Sequence, residues 1–69
     1  MQITINGQPV VTQEGITISE LLVEQKVQTP EYVSVERNGE ILERDAYPTT
    51  VVTEGDTIEF LYFMGGGAR

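Results

Sequence analysis

Ile16-Thr17-Ile18-Ser19-Glu20-Leu21-Leu22 decides the fold of this chain. Thr17 stands where a helix N-cap is wanted, and Glu20 follows three residues later, which is the capping-box spacing. Ile16 and Leu21 flank the box at the two positions of a hydrophobic staple. Ile18, Leu21 and Leu22 then share one helical face. The helix is short and must stop before Pro30, near Lys26, because the residue preceding a proline disfavours the α region.

Strand signals lie on both sides of this helix. Upstream, Ile3 and Ile5 alternate with Gln2, Thr4 and Asn6, the period of a half-buried strand. Asn6-Gly7 marks a tight hairpin, and Pro9-Val10-Val11 returns as an edge strand, where proline is tolerated. Downstream, Tyr32 to Arg37 alternates again, Asn38-Gly39 marks a second hairpin, and Glu40-Ile41-Leu42 is a short return strand. Residues 43–49 read as a loop with one turn of helix, and Thr50-Val51-Val52 as an extended piece. Glu54-Gly55-Asp56 is a turn, and Thr57 to Phe63 is the last strand, rich in residues that favour sheets.

The order is hairpin, helix, hairpin, loop, strand. A helix between the first hairpin and the later strands crosses one face of the sheet, which lets the first and last strands lie parallel at its centre. The expected fold is α+β, a β-grasp (ubiquitin-like) mixed sheet with one helix packed across it. Residues 1–64 form that domain and residues 65–69 a flexible C-terminal glycine tail. Ile3, Ile5, Val10, Ile18, Leu21, Leu22, Val33, Val35, Ile58 and Phe60 are the expected core, with Tyr32, Tyr47 and Tyr62 as packing residues.

Composition removes most chemistries. The 69 residues contain no cysteine and no histidine, so there is no thiolate, no disulfide and no cysteine metal site, and the usual general base and the commonest metal ligand are missing. Eleven acidic residues against four basic ones give a net charge of -7, which argues against nucleic acid. No apolar run approaches the roughly 20 residues of a membrane span. Met1-Gln2-Ile3-Thr4-Ile5 begins as a strand without a basic leader, so a cytoplasmic, monomeric protein is expected. Glu36, Glu40, Glu43, Asp45, Glu54, Asp56 and Glu59 read as solvated surface, or as an acidic face for a basic partner.

The end of the sequence, Met64-Gly65-Gly66-Gly67-Ala68-Arg69, is the candidate working part. Glycines without side chains are costly to order. Placed after an apolar strand, they suit a backbone threaded through a narrow channel in a partner. Leu61 and Phe63 alternate with Phe60 and Tyr62, so the last strand is apolar on both faces. One helix covers only one face. Leu61, Phe63 and Ile41 are therefore the expected partner-binding patch.

Taken together, these motifs make the chain resemble the ThiS family of ubiquitin-like sulfur carriers in thiamin biosynthesis. The resemblance runs through Met1 to Gly7, Ile18 to Leu22, Val35 to Leu42 and Glu54 to Phe60, and closes on Gly65-Gly66-Gly67. It implies a carrier without enzymatic activity of its own. A ThiF-like adenylyltransferase, using ATP and magnesium, activates the terminal glycine carboxylate, which becomes a thiocarboxylate, and a ThiG-like thiazole synthase takes the sulfur. The carrier itself binds no cofactor and no metal. Gly67 is the implied carboxylate bearer, with Gly66 as the alternative, and Gly65, Gly66 and Gly67 occupy the partner's channel. Ala68 and Arg69 depart from the family pattern. They are either removed by a processing protease, left from expression, or a sign that the end is not activated. A carrier for cysteine, homocysteine or molybdopterin synthesis, or a ubiquitin-like modifier of lysines, shares the same architecture.

Overall fold

The structure, a computed structural model, describes residues 1–62. Strand β1 is Gln2–Ile5 and β2 is Gln8–Val11. Between them Asn6 and Gly7 both take positive φ, 50° and 82°. Asn38 and Gly39 do the same between β3, Val33–Arg37, and β4, Glu40–Ile41. Left-handed conformation at both central residues gives the turn whose twist matches that of the flanking strands, which is why Asn-Gly appears at both places.

Helix α1 spans Ile18–Glu24. The capping box is formed: Glu20 N–H donates to Thr17 Oγ1 at 3.2 Å, and Thr17 N–H donates to Glu20 Oε1 at 2.9 Å. Both staple residues, Ile16 and Leu21, are buried. The helix stops slightly before the expected Lys26, because Lys26 turns left-handed at φ 59°. Lys26 N–H then bonds Val23 O, and Val27 N–H bonds Leu22 O, the paired bonds of a Schellman ending. Val27 packs against the core, so the apolar contact that accompanies this ending is also available. A lysine fills the position that glycine usually takes.

The last strand, β5, covers Thr57–Tyr62 within the described residues. The sheet order is β2-β1-β5-β3-β4. Strands β1 and β5 run parallel in register Thr4↔Thr57 and Ile5↔Ile58, and the other pairs are antiparallel. This is the expected mixed sheet with parallel central strands.

Ile3, Ile5, Val33, Val35, Ile58 and Phe60 line the face under α1, and Ile18, Leu21 and Leu22 pack down on them. Leu21 is fully buried, so truncating it to alanine costs about 2–5 kcal/mol. Val10 is only half-buried, because it sits on the edge strand. Three residues outside the expected core complete it: Ile16, Tyr47 and Val52. Val52 arrives because residues 50–52 run beside the segment entering α1. Ile18 N–H bonds Thr50 O, Val52 N–H bonds Ile16 O, and Thr17 bridges Val51.

The tyrosines divide differently from expectation. Tyr47, which follows the short 3-10 turn Arg44–Ala46, is buried. Tyr32 and Tyr62 are 60% and 49% exposed and are not packing residues. Tyr32 belongs to the 3-10 turn Pro30–Tyr32 that precedes β3, and Tyr62 lies at the end of the described part of β5. Among the described residues no helix is long and apolar enough to cross a membrane.

Candidate partner-docking face

Alternation along β5 places Ile58 and Phe60 under the helix, and Thr57, Glu59 and Leu61 on the opposite face. No element covers that second face among the described residues. Its make-up follows from the register. Leu61 lies opposite Ser34, Glu59 opposite Glu36, and Glu36 in turn opposite Ile41. On the other side of β5, Thr4 neighbours Thr57, with Pro9 and Val11 beyond it on the edge strand. Ile41 is 59% exposed and Val11 80%, while Leu61 is half-buried. Two of the three expected patch residues, Leu61 and Ile41, thus share one uncovered face. The third, Phe63, lies outside the described residues, as do Gly65, Gly66 and Gly67.

The charges on this face are of one sign. Glu36 and Glu59 are both half-buried, and neither has a cation against it among the described residues. Arg37 is committed to Asp56. Arg44 donates to Pro30 O and Val33 O and lies 5.6 Å from the centre of the Tyr47 ring. Lys26 ends the helix. The direct opposition of Glu36 and Glu59 is absent from any linear reading, because it depends on the register between β3 and β5.

Asp56 corrects the expected acidic face. It is buried, not on the surface. Its Oδ2 accepts from Arg37 Nε and Thr53 N–H, both at 2.9 Å, and its Oδ1 accepts from Asn38 Nδ2 and the Thr53 hydroxyl, both at 3.1 Å. Burial disfavours the charged form. The hydrogen bonds from Thr53 N–H, Asn38, Arg37 and the Thr53 hydroxyl outweigh it, and the pKa falls below its usual value. The Gly55 turn (φ 83°) swings Asp56 inward beneath the second hairpin.

No group of three or more histidine, cysteine, aspartate or glutamate residues among those described is arranged to hold a metal ion. On the helix side a groove opens between α1 and the two 3-10 turns. Leu22, Val23, Val27, Pro30, Tyr47 and Pro48 make most of its lining, with Ser19, Glu31 and Arg44 as its polar members.

Comparison with known proteins fits this architecture. The sequence pattern of the ThiS family matches residues 2–67. The chain belongs to the ThiS family. A crystal structure of the thiamine biosynthesis protein ThiS from Geobacter metallireducens superposes with a TM-score of 0.88 at 52% identity, covering 97% of this chain and all of that one. A solution structure of a thiamine biosynthesis protein from the same organism gives 0.79, also at 52% identity, over all of this chain and 91% of that one. Two curated proteins called thiazole synthase are also similar. The one from Magnetococcus marinus is 40% identical over 67 residues, and the one from Paramagnetospirillum magneticum is 37% identical over 68. These alignments take in 97% and 99% of this ThiS-family chain but only 20% and 21% of those proteins, so the chain spans about a fifth of their length.

Proposed function

We propose that this chain is a sulfur carrier of thiamine synthesis whose active group is the carboxylate of Gly67, with Gly66 as the alternative. A ThiF-like adenylyltransferase joins the carboxylate oxygen to the α-phosphorus of ATP, with magnesium, and pyrophosphate leaves. A sulfur nucleophile then displaces AMP from the acyl carbon, and the end of the chain becomes a thiocarboxylate. A ThiG-like thiazole synthase accepts that sulfur. Where Ala68 and Arg69 are present, a processing protease first hydrolyses the Gly67–Ala68 bond.

The observation that carries this reading is the family match, which extends through the glycine run to residue 67. Two further observations support it. The solved relatives at 52% identity are thiamine biosynthesis proteins. In two thiazole synthases, the segment similar to this chain is part of the same polypeptide. Physical chemistry agrees. Glycine lacks the Cβ that would restrict φ and ψ in a confined channel. A chain without histidine or cysteine leaves acid–base, metal and nucleotide chemistry to its partners, so it acts as their cosubstrate and not as a catalyst. Leu61, Ile41 and Phe63 are the proposed contact patch.

Intact mass of the protein purified from its own cells tests the reading. The expected species has lost Ala-Arg and carries one sulfur in place of one oxygen. Recovery of only the full-length oxygen form under sulfur demand, or of lysine conjugates in its place, overturns it.

A further inference from the structure

We propose that the uncovered sheet face docks a cation-bearing surface of the thiazole synthase partner, with an arginine or lysine of that surface seated between Glu36 and Glu59. The inference rests on the carrier reading and adds to it the chemistry of the partner's contact.

Glu36 and Glu59 stand directly opposite each other on two adjacent inner strands. Like charges in that relation destabilise a sheet. Within the described residues nothing relieves them: the one ion pair is Arg37–Asp56, and Arg44 and Lys26 lie elsewhere. The free chain therefore carries a repulsion that a single partner cation would convert into two attractions. Apolar groups border the pair. Ile41 is opposite Glu36, and Leu61 is two residues along β5 from Glu59. When a partner covers Ile41 and Leu61 it removes water from the neighbourhood of the carboxylates, and each ion pair strengthens as the local dielectric falls. A guanidinium fits best, since its planar fork presents donors to two carboxylates at once. The net charge of -7 steers such a surface toward the chain.

A Glu36→Gln/Glu59→Gln double variant separates this from an idle surface pair. Its binding to the cognate thiazole synthase is measured by titration calorimetry at low and moderate salt, beside the unsubstituted chain and Glu31→Gln, a control in the Pro30–Tyr32 turn. Thermal midpoints are recorded for the free proteins. The double variant is expected to melt higher than the parent yet bind about tenfold or more weakly, with a flatter salt dependence. Glu31→Gln is expected to change neither. Unchanged affinity and salt dependence in the double variant, or failure of the parent to bind thiazole synthase, overturns the inference. Intact mass of the same samples reads the carrier chemistry separately. Thiocarboxylate formation alongside indifferent binding removes only the docking claim, whereas its absence removes the carrier reading itself.

Discussion

Arg37 Nε donates to Asp56 Oδ2 at 2.9 Å, and this pair joins the second hairpin to the turn that launches β5. The connection is doubled by Asn38. Its side-chain amide donates to Asp56 Oδ1, and its carbonyl oxygen accepts from Thr57 N–H at 2.9 Å. One buried carboxylate thus fixes where the last strand enters the sheet, and with it the register that builds the uncovered face.

Replacing Asp56 with alanine is therefore expected to destabilise the fold by about 3–5 kcal/mol, because Arg37, Asn38 and Thr53 lose their common acceptor together. Urea denaturation measures the loss. A change under 1 kcal/mol would mean that water replaces the carboxylate freely.

The same group sets an acid limit. The pKa of Asp56 is lowered in the fold, so the unfolded chain binds its proton more readily than the folded one. Its stabilisation is complete above the unfolded value of about 3.9 and is lost as pH falls through the lower folded value. The stability gap between the parent and Asp56→Asn should stay level from neutral pH to about pH 5 and close below about pH 4. A gap that narrows near neutrality would assign the dependence to other groups.

Tyr47 fills a missing place in the ladder. Strand β4 is two residues long and meets β3 only at Glu36 and Arg37. Val35 N–H therefore finds the Tyr47 hydroxyl, at 3.0 Å in a buried setting, while Val35 O accepts from Leu42 N–H. Tyr47→Phe keeps the ring and strands the amide, at an expected cost of about 1–3 kcal/mol. Hydrogen exchange at Val35 should accelerate more than at Val33. Equal acceleration would indicate general loosening.

These two residues also show what the linear sequence conceals. Both hairpins, the helix and its capping box were legible because each depends on neighbours a few positions apart. Asn-Gly specifies its own turn, and Thr17 and Glu20 cap each other. Tyr47 and the Glu36–Glu59 pair depend on partners 12 and 23 positions away, and Asp56, though Thr53 is near it in the chain, depends also on Arg37 and Asn38, 19 and 18 positions away. Nothing near Tyr47 distinguishes it from the exposed Tyr32 and Tyr62, and Asp56 resembles its solvated acidic neighbours until the Gly55 turn is placed. That Leu61 lies off the helix-covered face was legible from alternation, and Ile41 was placed beside it by the return strand of the second hairpin. Phe63 and the glycines lie outside the described residues, so their role rests on sequence and family.

Ile41 provides the sharpest separation of docking from folding. It is 59% exposed on a two-residue edge strand, so Ile41→Asp should cost no more than about 1 kcal/mol of stability, most of it repulsion from Glu36 opposite. On the proposed face it lies opposite Glu36, where a partner's apolar group would cover it. An aspartate there would have to be desolvated on docking, and partner affinity should fall about tenfold to a hundredfold. Gly66→Val should show the complementary split. Partner docking through the sheet would persist, but thiocarboxylate would not form, because a branched Cβ restricts the backbone that the proposed activation draws into its enzyme. Calorimetry reads the first variant and intact mass the second. If Ile41→Asp bound normally while Gly66→Val still accepted sulfur, neither the face nor the glycine run would hold the role assigned to it.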